Sequence, residues 1–202
     1  MDIRGAGNLL GEEQSGHIRE VGFELYQSML EEAVSAMKGG DMGEGADQWS
    51  PQISLGTSVL IPETYVTDLQ LRLGLYRRLS SLESRPDIDA FAAELVDRFG
   101  EYPEEVRHLL DVMEIKGLCR HAHIAQVDAG PKGAVLPFHK SGYPNPAGLV
   151  DLIAKSKGQF KLQPDQRVVF KGDWDLPEAR LKGVRGLVQI LAELAEKSKK
   201  AA

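Results

Sequence analysis

The chain has 202 residues, 42% of them hydrophobic and 27% charged, with 24 Lys and Arg against 30 Asp and Glu for a net charge of −6. That length allows one large domain, or a domain with an appendage. No apolar run approaches the roughly 18 to 20 residues of a membrane-crossing helix, no basic-then-apolar leader opens the chain, and the lone Cys119 excludes an internal disulfide, which together point to a reducing cytoplasm and no membrane partner.

Residues 1–37 combine a glycine-rich opening, with Gly5, Gly7, Gly11 and Gly16, and a stretch from Phe23 to Met37 of helical spacing. Tyr26, Leu30, Ala33 and Met37 share one face of that stretch and Gln27, Ser28, Glu31, Glu32 and Ser35 another, and Gly39 stops it. Such an opening needs a neighbour to hold it, so the chain reads as the tail end of a larger machine. Residues 38–52 are glycine-rich, acidic and aperiodic, and read as a flexible linker in which Trp49 docks on something. A compact domain is expected over residues 53–198.

The spacing predicts a strand over 53–61, closed by Pro62, then three helices over 67–82, 87–99 and from 103 onward. Leu69, Leu73, Tyr76 and Leu79 or Leu82 face inward from the first, with Leu71 and Leu75 widening the stripe. Ile88, Phe91, Leu95 and Phe99 form the buried face of the second, which Gly100 ends. Pro103 takes the first position of the third, with Glu104 and Glu105 at its positive end and Val106, Leu109, Leu110 and Met113 inward. After His123, stretches 124–129 and 134–138 flank Gly130-Pro131-Lys132-Gly133 as a hairpin. A helix opens at Pro146 and runs to about Ser156, short strands are expected at 160–162 and 167–170, and a last helix over 177–196 aligns Val184, Val188, Leu191 and Ala195. Strands and helices mix without a regular alternation, which predicts an α+β fold and not a doubly wound sheet.

The chemistry-bearing motifs are mostly negative. Gly5-x-Gly7 lacks the next glycine of a dinucleotide fingerprint, and no G-x-x-x-x-G-K-S/T sequence occurs, so this stretch does not hydrolyse ATP by the P-loop route. Cys119, His121 and His123 scatter around a helix end and read as a buried thiol with helix-end histidines, so no metal is assigned. Glu12-Glu13 and Glu31-Glu32 point apart, no G-x-S-x-G nucleophile elbow is present, and no catalytic residue is assigned. An autonomous duplex binder carries a basic surplus; here the bases Arg180, Lys182, Arg185, Lys197, Lys199 and Lys200 gather at the end and read as a solvated helix terminus.

Two polar constellations stand out. Arg4, whose planar fork suits phosphate or carboxylate, shares the glycine-rich block with Gln14, which both donates and accepts. Glu94, Asp97 and Arg98 cluster on the helix face opposite Leu95 and Phe99, with Glu94 and Arg98 in the favourable i,i+4 order.

Arg4-Gly5-Ala6-Gly7 and Gly11-Glu12-Glu13-Gln14-Ser15-Gly16 resemble the translocation motif shared by the RecG helicase and transcription-repair coupling factor (Mfd) families. The continuation Val21-Gly22-Phe23-Glu24-Leu25-Tyr26, and everything after residue 50, is similar to the coupling factors alone, with a RecG-like helicase and a stand-alone enzyme as the alternatives. The resemblance implies a parent that is an ATP- and Mg-dependent double-stranded DNA translocase, its motor encoded upstream of Met1, which displaces stalled RNA polymerase and recruits excision repair. It implies that Arg4 and Gln14 couple hydrolysis to movement. It also implies that the Glu94, Asp97 and Arg98 face contacts the parent's own UvrB-like module and hides the site that recruits UvrA. For the fragment itself it implies no cofactor and no catalysis.

Overall fold

The computed structural model describes residues 50–200 apart from Ser141. The N-terminal block read above as a translocation motif, with Arg4, Gln14 and Trp49, lies outside the described residues. The elements in chain order are β1 (Gln52–Ser54), α1 (Leu69–Ser80), α2 (Arg85–Phe99), α3 (Glu104–His121), β2 (Gln126–Gly130), β3 (Gly133–Pro137), α4 (Pro146–Lys155), β4 (Phe160–Leu162), β5 (Arg167–Lys171) and α5 (Pro177–Lys200). The architecture is α+β, with a five-stranded mixed sheet in the order β1-β2-β3-β5-β4. β1 runs parallel to β2 and every other pair is antiparallel.

Helix ends follow local chemistry. Asp68 caps α1 by accepting from Leu71 N at 2.8 Å, Ser84 caps α2 by accepting from Asp87 N at 3.3 Å, and Asn145 caps α4 by accepting from Gly148 N at 3.0 Å. Gly100 ends α2 with φ 83°, a conformation that glycine adopts at little cost. Pro103 stands at the cap of α3, one position before the expected start, while Glu104 and Glu105 occupy the first turn.

The strand expected over 53–61 is a correction. Only Gln52–Ser54 pairs, with register Ile53↔Val127. Gly56 turns the chain with φ 65°, and Ile61 N–H donates to Tyr76 Oη at 2.7 Å, so its hydrogen bond goes to α1 and not to a neighbouring strand. Pro51 is buried and Gln52 already belongs to the sheet. Leu69 and Leu73 prove only half-buried, whereas Arg72 is buried, its Nη1 donating to Val66 O at 2.7 Å.

Two apolar clusters divide the domain. One gathers α1 and α2 with the first turns of α3, through Leu75, Leu79, Ile88, Phe91, Leu95, Val106, Leu109 and Met113. The other lies between one sheet face (Ile53, Val127, Ala134, Leu136, Val168) and helices α3 to α5. α3 contributes to both: Val106, Leu109, Leu110 and Met113 to the first, Val112, Ile115 and Cys119 to the second. Burial pushes the Cys119 thiol up from its ordinary range, so it stays a protonated core group.

The sheet cluster is closed by Trp174. Its indole stacks on Phe170 at 5.4 Å and lies against Gly183 and Gly172, where an added Cβ would come within 2.2 Å and 2.7 Å of the ring. The buried Arg180 ties the same corner together, donating through Nη1 to Leu55 O at 2.6 Å and through Nη2 to Trp174 O at 3.2 Å.

Candidate partner-binding surface

α2 places the second sequence-derived constellation. Ile88, Phe91 and Leu95 face the core at helical spacing, which turns Glu94, Asp97 and Arg98 toward solvent. The structure brings Glu94 and Arg98 together, with Arg98 Nη1 donating to Glu94 Oε1 at 3.0 Å. Asp97 stands beside them, exposed, and its side chain has no ion pair or hydrogen bond among the described residues. Arg4 and Gln14 cannot be placed against this face, since both precede the described residues.

A residue missed by sequence reasoning completes the surface. Arg78, in the last turn of α1, forms a two-pronged pair with Glu94, Nη1 to Oε1 at 2.7 Å and Nη2 to Oε2 at 2.6 Å. Fork-to-carboxylate pairs of this kind fix geometry as well as charge. The Arg78 guanidinium lies over the Phe91 ring at 5.1 Å, and that of Arg98 over Phe99 at 5.0 Å. Phe99 meets Tyr65 edge-on at 5.8 Å, and the Tyr65 hydroxyl donates to Leu95 O at 3.1 Å and Gly100 O at 2.8 Å, which anchors the end of α2. The only foreshadowing of Arg78 in the sequence is a pair of basic residues closing α1; the pairing spans two helices, beyond the reach of periodicity.

The hydrogen bonds from Arg78, then those from Arg98, hold the Glu94 carboxyl down at about 2. A folded-state value below the ordinary 4.5 means that the network stabilises the fold at neutral pH and loses that contribution as pH falls from about 4.5 toward about 2. The stability difference between wild type and Glu94→Gln is therefore expected to shrink across that window. It stays within about 1 kcal/mol at pH 7 because the pair is solvent-screened. Urea unfolding at pH 7, 4 and 2.5 checks this; a difference that does not change with pH contradicts it.

This surface holds no nucleophile beside a base and no convergent carboxylates. It presents an ordered set of surface charges. A separate cleft of about 460 Å³ between α3 and α5 is lined by Arg107, His108, Asp111, Leu176, Lys182 and Arg185. Its arginines are already engaged: Arg107 with Glu178 at 2.5 Å and Glu104 at 3.0 Å, and Arg185 with Glu114 at 3.1 Å. Among the described residues no three His, Cys, Asp or Glu side chains converge as metal ligands. No described helix is long and apolar enough to cross a membrane.

Comparison with known proteins gives a consistent picture. Residues 55–149 match the TRCF domain family. The chain is 45% identical over 174 residues to the transcription-repair-coupling factor of Rickettsia bellii, covering 84% of this chain and 15% of that protein. It is 34% identical over 197 residues to the transcription-repair-coupling factor of Escherichia coli, covering 96% of this chain and 17% of the relative. A match of that span necessarily takes in most of the residues before Ser50. The fold is similar to the crystal structure of a C-terminal domain of transcription-repair coupling factor, with TM-score 0.59 at 19% identity over 76% of this chain and 96% of that one. The chain thus spans only about a sixth of the length of the curated relatives it matches.

Proposed function

We propose that this chain, which belongs to the transcription-repair-coupling factor family, is a regulatory latch within an ATP-driven double-stranded DNA translocase that couples stalled transcription to excision repair. The folded domain after the linker docks on the UvrB-like module of the same protein, covers the surface that recruits UvrA, and releases it when the motor engages RNA polymerase. Residues 1–37 complete the translocation motif, in which Arg4 and Gln14 link ATP hydrolysis to movement. ATP and Mg belong to the parent's motor, and the fragment performs no chemistry of its own. The parent works in the cytoplasm.

The observation that carries the latch is the ordered, exposed charge network that joins α1 and α2. Arg78, Glu94 and Arg98 are fixed in one geometry, and Asp97 stands free beside them. Surface charges of this kind set partner choice and association rate more than raw affinity, which suits a contact that must open. Holding a two-state latch closed and then releasing it takes a differential contact energy of a few kcal/mol, within reach of a modest polar interface.

Reversing both charges, with Asp97→Arg and Arg98→Asp in the full-length parent, is expected to raise UvrA capture by about tenfold or more while the domain's melting temperature stays within a few degrees. Unchanged capture would sink the latch reading. Replacing Arg4 with Ala is expected to abolish translocation on duplex DNA with ATP binding retained; a variant that still displaces polymerase removes the coupling role.

A further inference from the structure

Acids and bases are unevenly shared along the chain. Residues 1–49 hold ten acids against three bases, whereas residues 50–202 hold twenty acids and twenty-one bases. Within the domain, bases gather at the β3–β5–β4 side of the sheet. Residues 129–172 carry seven bases against two acids, and both acids are spent nearby, Asp151 on Lys155 at 2.7 Å and Asp165 on Arg167 at 2.9 Å. One face of the sheet packs on the helices; the other is bare, with none of its residues fully buried. The register sets Asp128, Val135, Val169 and Lys161 in one row across that bare face. Lys171 lies two residues beyond Val169 on β5, which makes it the diagonal neighbour of Lys161, roughly 7–8 Å away. Lys132 stands at the hairpin tip, where its carbonyl accepts from Gly172 N at 3.0 Å. All three lysines are exposed, and none of their ammonium groups has an ion pair or hydrogen bond among the described residues. Like charges set side by side on a sheet repel, and the acid of the row, Asp128, lies two strands away from β5.

We propose that this cationic sheet face is the docking site of the chain's own linker, residues 39–49, with Asp41 and Glu44 set against Lys161 and Lys171. Between Gly39 and Trp49 the chain holds three acids, Asp41, Glu44 and Asp47, and no base. It leads directly into β1, the edge of the same sheet. Lys171 is three strand spacings across from Gln52 and four residues along, a separation of about 20 Å at about 4.8 Å per strand and 3.3 Å per residue. Lys161, four spacings across and two residues along, is about as far. Glu44 precedes Gln52 by eight residues, which extend to about 26 Å. Asp41 has more slack still, whereas the five residues from Asp47 cover only about 16 Å and fall short. The tether keeps the acids at high effective concentration over the face. Exposed pairs of this kind are individually weak, so the docked state is reversible and sensitive to salt. Docking through Asp41 takes up most of the connection between residues 1–37 and β1, and so limits how far the domain strays from what precedes it. This holds whether or not the domain acts as a latch.

Nuclear magnetic resonance of the whole 202-residue chain tests this. Gly43→Cys carries a nitroxide; Cys119 is fully buried with its thiol held protonated, so the label enters at one site. At low salt the amides of Val169 and Lys161 are expected to lose about half of their intensity relative to the reduced label. Lys161→Glu combined with Lys171→Glu is expected to weaken this broadening about threefold, as is about 0.5 M NaCl, where the screening length falls to about 4 Å. Adding Asp41→Lys and Glu44→Lys to that reversal is expected to restore the broadening, which a label brought near by its tether alone would not do. Lys161 and Lys171 are exposed, so the melting temperature is expected to stay within a few degrees; Lys161→Ala with Lys171→Ala replaces the reversal should the latter fail to fold. Broadening that is indifferent to the lysine substitutions overturns the proposal. Broadening passed from a nitroxide-bearing chain to a separate isotope-labelled chain also overturns it, by giving the face to a second copy.

Discussion

Gly133→Ala is expected to destabilise the domain by about 3–5 kcal/mol, combining the cost of an unfavourable backbone conformation with that of overpacking. Gly133 opens β3 with φ 135°, a region that side-chain-bearing residues rarely enter, and a Cβ there would sit 1.9 Å from the backbone oxygen of Phe170. The obstacle is main chain in the centre of the sheet. Gly133 pairs with Lys171 at one end of the β3–β5 ladder, so relief means opening that ladder at the hairpin. The cost reaches further, because Gly172 N donates to Lys132 O at 3.0 Å and Trp174 N to Pro131 O at 2.7 Å, so both residues of the turn act as acceptors. Gly130, across the same hairpin, serves as control: nothing lies within 4 Å of an added Cβ there. Gly130→Ala should stay within about 1 kcal/mol of wild type. Urea denaturation followed by circular dichroism measures both, and a Gly133→Ala variant within 1 kcal/mol of wild type would contradict the stated packing.

Arg180→Ala is the second large effect, at about 3 kcal/mol, because two buried carbonyls lose their donors together and each unsatisfied group costs about 1–3 kcal/mol. Leu55 O and Trp174 O belong to the segment leaving β1 and to the approach to α5, and no other described side chain is bonded to either. Arg180→Lys is expected to recover less than half of the loss. An ammonium is a point charge without the planar fork, and cannot reproduce both Nη contacts at once. Near-ultraviolet circular dichroism gives a local readout, since the Trp174 ring packed on Gly183 should lose its fixed environment in Arg180→Ala. Full recovery by lysine would show that charge alone, and not the fork, is what the corner requires.

Much of this arrangement was legible from the chain. The 3.6-residue spacing of Ile88, Phe91 and Leu95 gave α2 its buried face and, by subtraction, its exposed one. Gly100 and Pro103 marked the break between α2 and α3, and Gly130 to Gly133 marked the hairpin. What escaped was long-range. The insertion of β5 between β3 and β4 follows from pairing such as Val135↔Val169, which no local signal encodes. The alternation from Ile53 to Ile61 looked like one strand because its apolar residues are indeed covered, yet Gly56 and the Tyr76 hydroxyl divert its backbone. Arg72, His108, Lys116 and Arg180 are buried, against the ordinary expectation for charged and titratable groups, because carbonyls or hydroxyls elsewhere in the chain receive them in the cases of Arg72, Arg180 and, through Thr57 Oγ1 at 3.3 Å, His108. At the candidate surface, the i,i+4 pair was visible and Arg78 was not, for the same reason: one contact lies within a helix and the other between two.

The double membership of α3 bears on how the domain can come apart. A single rod serves as the back wall of one room and the front wall of the next, so neither room can be dismantled while the other is left standing. Thermal unfolding should therefore show one cooperative event instead of two. Under the proposed latch, release is an all-or-nothing departure of an intact body from its dock.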